Sequence, residues 1–209
     1  MELPKLFWII IATTLTYQVV LCIYENLNDL VLNRFYIDYV TIGYMLVIPY
    51  TLGALFALIF GYVLKVKPKL RRKIILFTAI FLCIGLMGLY FLANNGSATE
   101  VSIWDFILIV FFLVSLSSVA GSTYTVLTSS VSLLADKRRL GTAWGVIGMV
   151  IGLGESISSI INGLVEDDSD LTHSYTTLTL IYLLISCGAI AMALWIFLGP
   201  FEQIDINFN

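Results

Sequence analysis

Of the 209 residues, 59% are apolar and only 12% are charged, with a formal net charge of −3 and a mean hydropathy of +0.97. A soluble domain carries roughly 25% charged residues, so this chain lacks the polar surface to enclose a core in water, and lipid must serve as its solvent. A soluble enzyme is excluded on that ground, and the absence of a basic patch with interleaved aromatics excludes nucleic-acid binding.

A helix needs about 20 residues to cross a hydrocarbon layer of about 30 Å. Six stretches meet that length, at about 6–25, 39–64, 74–94, 103–124, 140–165 and 174–198. They are helices because lipid leaves backbone N–H and C=O groups no other partners, and they lack the period-two alternation of barrel strands. The expectation is an all-α, multi-pass membrane protein with residues 1–209 forming one domain of six transmembrane helices. The first stretch is too long for a signal h-region and has no cleavage site of small residues. The fourth apolar run continues uncharged from Phe106 to Ala135, too long for one simple span. Its cluster of Ser117, Ser118, Gly121, Ser122, Thr123 and Thr125 predicts a bend there, followed by a more amphipathic segment that reaches the surface near Asp136.

Basic residues set the orientation. Lys5 precedes the first span; Lys65, Lys67, Lys69, Arg71, Arg72 and Lys73 join the second to the third; Lys137, Arg138 and Arg139 join the fourth to the fifth. Only Arg34 falls on the other side, whose loops carry Glu25, Asp29, Asp38, Glu100, Glu166, Asp167, Asp168 and Asp170. Both termini and the basic loop of Lys65, Arg71, Arg72 and Lys73 are therefore expected in the cytosol. Asn95-Gly96-Ser97 forms a glycosylation sequon on the opposite side, which makes Asn95 its acceptor. Cys22, Cys83 and Cys187 are widely spaced within apolar runs, and read as small hydrophobes rather than a disulfide framework or zinc site. No metal or cofactor is expected.

The fifth span carries the strongest pattern. Gly141, Gly145, Gly148, Gly152, Ser156, Ser159 and Gly163 recur at steps of 4, 3, 4, 4, 3 and 4, which aligns them on one helical face. Such a stripe lets another helix backbone approach closely; it reads as a packing face or as a face that slides during a transport cycle. Glu155, at its border, is the only carboxylate deep in a span. An ionisable group there faces a cavity, finds a partner or takes up a proton, so Glu155 is a candidate proton, cation or substrate-amine ligand, and the alternative is a protonated or hydrogen-bonded structural Glu with Ser158, Ser159 or Asn162 nearby. Tyr17 and Gln18 lie mid-span in the first helix and are cavity candidates together with Tyr124. Tyr24, Glu25 and Asn28 read as interfacial and His173 as a loop residue. No nucleophile elbow, phosphate loop, HExxH or CxxC is present, so no catalytic residue is expected.

The segment Leu134-Ala135-Asp136-Lys137-Arg138-Arg139-Leu140-Gly141-Thr142-Ala143-Trp144-Gly145, with Gly148, Gly152 and Gly154 after it, resembles the link between helices ten and eleven of major facilitator superfamily transporters. Within that superfamily it looks most like the subfamily of major facilitator superfamily domain-containing protein 1, a lysosomal dipeptide transporter. The loop after Gly61 is similar as well, although Lys65 stands where the superfamily carries an acid, and Arg71, Arg72 and Lys73 occupy its basic end. The resemblance implies the C-terminal six-helix half of such a transporter. It further implies dipeptide or small-peptide transport across the lysosomal membrane by alternating access, and a glycosylated accessory membrane protein as partner. Substrate binds between two halves in these transporters, so the expected partner is an N-terminal six-helix half in the same or a separate chain, or a second copy in a homodimer. The other expectation is a non-transporting assembly subunit that docks through the stripe of the fifth span. A six-helix channel has neither a pore loop nor a charged ring to support it.

Overall fold

The computed structural model describes residues 5–22, 39–95, 103–135, 137–165 and 171–199. The Tyr24, Glu25 and Asn28 group, Gly96 and Ser97 of the sequon, and the acidic residues 166–170 lie outside the described residues, as do the side chains of Asn95 and His173. The helices are α1 (Lys5–Leu21), α2 (Tyr39–Val66), α3 (Arg71–Asn95), α4 (Ile103–Ser122), α5 (Thr128–Leu134), α6 (Leu140–Val165) and α7 (Leu171–Leu198). At about 1.5 Å per residue, the 28 residues of α2 and of α7 reach about 42 Å. Such lengths exceed a ~30 Å hydrocarbon layer and are accommodated by tilt or by projection into the headgroups.

The fourth apolar run keeps one helical path but changes pitch. A π-helical turn, Thr123–Leu127, joins α4 to α5, at the small polar cluster where the sequence predicts a bend. A π turn pushes the backbone out of register. Here hydroxyls take up the neighbouring carbonyls: Thr128 donates to the Tyr124 carbonyl, Ser129 to Thr125 and Ser130 to Val126. Upstream, the buried Ser115, Ser117 and Ser118 donate to the Phe112, Leu113 and Ser115 carbonyls. These self-contained bonds explain how so many hydroxyls sit in a helix at lipid depth.

Packing runs from α2 to α4, α4 to α3, α3 to α7, α7 to α1 and α1 to α6. The core includes Phe7, Ile10, Leu82, Leu86, Leu116 and Ile147, while large apolar side chains such as Leu58, Phe77, Ile160 and Leu184 are exposed, as expected where lipid covers the outside. Glycines set the closest approaches. A Cβ at Gly121 would stand 2.7 Å from Phe56 Cβ, 2.8 Å from the Ala57 nitrogen and 2.9 Å from the Gly53 carbonyl. One at Gly154 would stand 2.7 Å from Gln18 Cβ and 3.3 Å from the Val19 nitrogen. The α2 side of the first crossing is a small-residue repeat, Gly53, Ala57 and Gly61, that the sequence reading passes over; Thr125 Oγ1 also donates to the Ala57 carbonyl across it.

Among the described residues, the stripe predicted on the fifth span packs against no other helix. The buried face of α6 is Ala143, Ile147, Val150, Gly154, Ser158 and Asn162. Gly141, Gly145, Gly148, Gly152 and Gly163 have nothing among the described residues within 4 Å of an added Cβ, and Ser156 and Ser159 are exposed beside them. The physical reason is that α1 approaches α6 along its Gly154 side, leaving the richer glycine face outward. Among the basic-loop residues, Lys65 and Lys73 are exposed and Arg72 is half-buried, but Arg71 is buried. Its guanidinium Nη1 donates to Ser130 Oγ at 3.4 Å, tying the start of α3 to α5. That bond brings the segments that lead to the two basic loops to one end of the bundle.

Replacing Gly121 or Gly154 with Ala should each lower unfolding stability by about 1–3 kcal/mol, the cost of overpacking. Gly148→Ala should leave it unchanged or slightly raised; thermal unfolding of the purified chain in lipid nanodiscs measures all three.

Candidate functional site

The α1–α6 and α2–α4 crossings leave a cavity of about 440 Å³ between them. α1 supplies Gln18, Leu21 and Cys22; α2 supplies Tyr50, Gly53, Ala54 and Ala57; α4 supplies Leu116 and Ala120; the π turn supplies Tyr124 and α6 supplies Glu155. Small residues on α2 and α4 make the space, because the Gly53, Ala54, Ala57 and Ala120 side chains are too short to fill it. The π turn places Tyr124 on the cavity wall.

Three of the four cavity residues expected from the sequence come together here. Gln18 and Glu155 are 137 positions apart, yet Gln18 Nε2 lies 3.5 Å from Glu155 Oε1 and 3.7 Å from Cys22 Sγ. Gln18 is only 5% exposed, and its Oε1 is buried with no hydrogen-bond partner among the described residues. The tight contact with Gly154 holds the stem of Gln18 in place, one residue before Glu155. None of the lining residues is basic. The cavity is therefore a largely apolar and aromatic space, and its polar groups are the Gln18 carboxamide, the Cys22 thiol, the Tyr50 and Tyr124 hydroxyls and the Glu155 carboxylate.

Tyr17 is the exception and corrects the expectation. It is fully buried away from the cavity lining, and its hydroxyl donates to the Ile75 carbonyl at 2.8 Å. Neighbours in sequence on a helix point about 100° apart, so Gln18 reaches the cavity while Tyr17 turns into the α1–α3 contact. Its role is to join two helices.

Farther along α6 lies a polar cluster that the sequence signals only through Ser158 and Asn162. The Ser158 and Tyr182 hydroxyls meet at 2.6 Å, and Tyr182 donates to Asn162 Oδ1 at 3.0 Å. This cluster is buried between α6 and α7 and fastens them together. Among the described residues no hydrogen bond joins the Glu155 carboxylate to Ser158 or Asn162, and Ser159 donates to the Glu155 backbone carbonyl at 3.0 Å. Of the cysteines, Cys22 is buried, while Cys83 is half-buried and Cys187 exposed, their sulfurs 4.0 Å apart. The last two are thus not the buried small hydrophobes that the sequence suggests. Among the described residues, no group of three or more His, Cys, Asp or Glu is placed to hold a metal ion.

A family model, Major Facilitator Superfamily, matches residues 5–206. The chain belongs to the major facilitator superfamily. Membership together with the all-helical apolar bundle makes it an integral, multi-pass membrane protein that serves transmembrane transport of a small solute, as transporters of this superfamily do, and not an enzyme. No curated protein and no solved structure matches the chain.

Tyr17→Phe should lower stability by about 1 kcal/mol, the net worth of one buried hydrogen bond, without altering any ligand response of the cavity. Thermal unfolding with and without solute separates the two effects.

Proposed function

We propose that this chain is one six-helix half of an alternating-access transporter, and that its solute contacts Gln18, Tyr124 and Glu155 in the cavity between α1, α2, α4 and α6. The observation that carries this reading is the cavity itself, which gathers these residues from three separate parts of the chain. In this fold substrate sits where two halves meet and rock against one another. The open face of Gly141, Gly145, Gly148 and Gly152 supports a second bundle closing against α6, since small residues allow that close approach. The second bundle is an N-terminal half, in the same or a separate chain, or another copy of this one. The Leu140-Gly141-Thr142-Ala143-Trp144-Gly145 segment supports dipeptides or small peptides as the solute and the lysosomal membrane as the location. The concentration of basic residues at one end supports cytosolic termini.

The same open face favours a second reading, a non-transporting subunit that docks through α6. Vesicles from cells expressing the chain should take up labelled dialanine several-fold faster than control vesicles. Glu155→Gln should abolish that uptake while leaving the native assembly mass unchanged; Gly148→Leu and Gly152→Leu should reduce both. Uptake equal to control in every form, with assembly lost only in the glycine variants, would replace transport by docking.

A further inference from the structure

The basic connections between α2 and α3 and between α5 and α6 take no part in the cavity. Across positions 65–73 and 136–139 the sequence holds nine basic residues and one acid, Asp136. Arg71 is used inside the bundle, where its Nη1 donates to Ser130 Oγ. Lys65, Lys67, Lys69, Lys73, Lys137 and Arg138 are exposed instead. The two connections are far apart in sequence, and the fold brings them together. A Cβ at Gly61, four residues before Lys65, would stand 3.5 Å from Thr125 Cγ2. Helix α2 therefore leaves the bundle alongside the π turn that leads into α5, and Arg71 ties the start of α3 to the same α5.

Aromatic side chains mark the depth of this end. Tyr62 lies three residues before Lys65 and Trp144 five after Arg139, and both are exposed on the outside of the bundle. Tyr and Trp settle at the boundary between hydrocarbon and headgroups. At a rise of 1.5 Å per helical residue, the basic residues begin about 5–8 Å farther out, at the level of lipid phosphates. Each Lys or Arg held near an anionic leaflet strengthens attraction to it by about fivefold. A phosphodiester headgroup presents little charge for so many cations. A phosphomonoester carries about −1.5 to −2 and three strong acceptor oxygens, which suits a cluster drawn from two chain segments. Lysine binds phosphate as a point charge, and Arg138 adds a planar fork of donors.

We propose that the two connections form one binding site for an anionic lipid whose headgroup bears phosphomonoesters, a phosphorylated inositol lipid. Its phosphates sit between Lys65, Lys67 and Lys69 of the first connection and Lys137 and Arg138 of the second. Its acyl chains lie against the apolar surface below, beside Tyr62 and Trp144. The site is separate from the cavity and does not depend on which solute is carried. By bridging the two connections, the lipid holds α2, α3 and α6 together at their shared end.

The experiment uses the full 209-residue chain in nanodiscs of neutral phosphatidylcholine. The discs contain either no other lipid, phosphatidylinositol bisphosphate, or phosphatidylserine at matched total charge. Native mass spectrometry counts the lipids retained, and thermal unfolding measures their effect on stability. The bisphosphate lipid should be retained about tenfold better than phosphatidylserine and should raise the unfolding midpoint by several degrees. Both effects should fade as salt is raised, because exposed charges are screened. One variant combines Lys65→Gln, Lys67→Gln and Lys69→Gln; another combines Lys137→Gln and Arg138→Gln. Each should cut retention by about tenfold or more, with the midpoint in neutral lipid unchanged because these side chains are exposed. Equal retention of phosphatidylserine would reduce the site to a diffuse surface potential and overturn the proposal. Retention unaffected by one of the two variants would overturn the joint site. Soluble inositol trisphosphate that stabilises the chain in neutral discs as strongly as the lipid does would overturn the choice of a lipid. The lipid comparison is made on the unaltered chain, so it decides the matter even where a variant fails to fold.

Discussion

Apolar helices gain little by meeting one another in hydrocarbon, because lipid tails are as apolar as leucine; close packing has to hold them together. In this chain that requirement falls on a few glycines. Gly121 lets α4 settle onto the Gly53–Ala57 backbone of α2, Gly154 lets α6 settle onto Gln18 and Val19 of α1, and Gly85 receives the Ser115 side chain between α3 and α4. Each crossing brings backbone or short side chains into contact where a single methyl would collide. The cavity is a consequence of the same economy, since the small residues that permit the α2–α4 contact also leave the wall beside it unfilled.

Polar side chains receive two different treatments within this packing. Most are returned to the backbone: the α4 serines bond to carbonyls three or four residues earlier, the π turn is closed by Thr128, Ser129 and Ser130, and Tyr17 caps the Ile75 carbonyl. Ser158, Tyr182 and Asn162 satisfy one another in part. Gln18 and Glu155 differ in that they bond to each other and both line the cavity. Unused hydrogen-bonding capacity at lipid depth is expensive, which is why most of these groups are bonded within the bundle.

Helix α6 links the two themes. One face, through Gly154, Ser158 and Asn162, is committed to α1 and α7; the other, from Gly141 to Gly163, meets no other helix among the described residues. Glu155 stands between the faces, lining the cavity while exposed at the helix surface. A bundle closing on that surface would also change the surroundings of Glu155, which is the arrangement that alternating access requires.

The solvent and the architecture were legible in the sequence because they depend on amounts and lengths. Apolar runs of about 20 residues with almost no charge leave only helices in lipid, and the small polar cluster after Leu116 located the change in helical pitch. Superfamily membership was legible in the Leu134–Gly145 segment, and Glu155 stood out because a lone carboxylate in a span is expensive wherever it points. What the sequence did not contain was direction. The glycine stripe of α6 has the regularity of a packing face, yet periodicity states only that residues share a face and not what that face meets. Tyr17 and Gln18 looked equivalent as mid-span polar residues until the rotation of α1 sent one into the α3 contact and the other into the cavity. The pairing of Gln18 with Glu155, and the orphaned oxygen that it leaves, arises only when α1 and α6 cross at Gly154. Composition and spacing thus determined that this chain is a bundle of helices in a membrane, whereas the rotation and contact of those helices, set by where backbones can come closest, decided which polar groups tie helices together and which line the cavity.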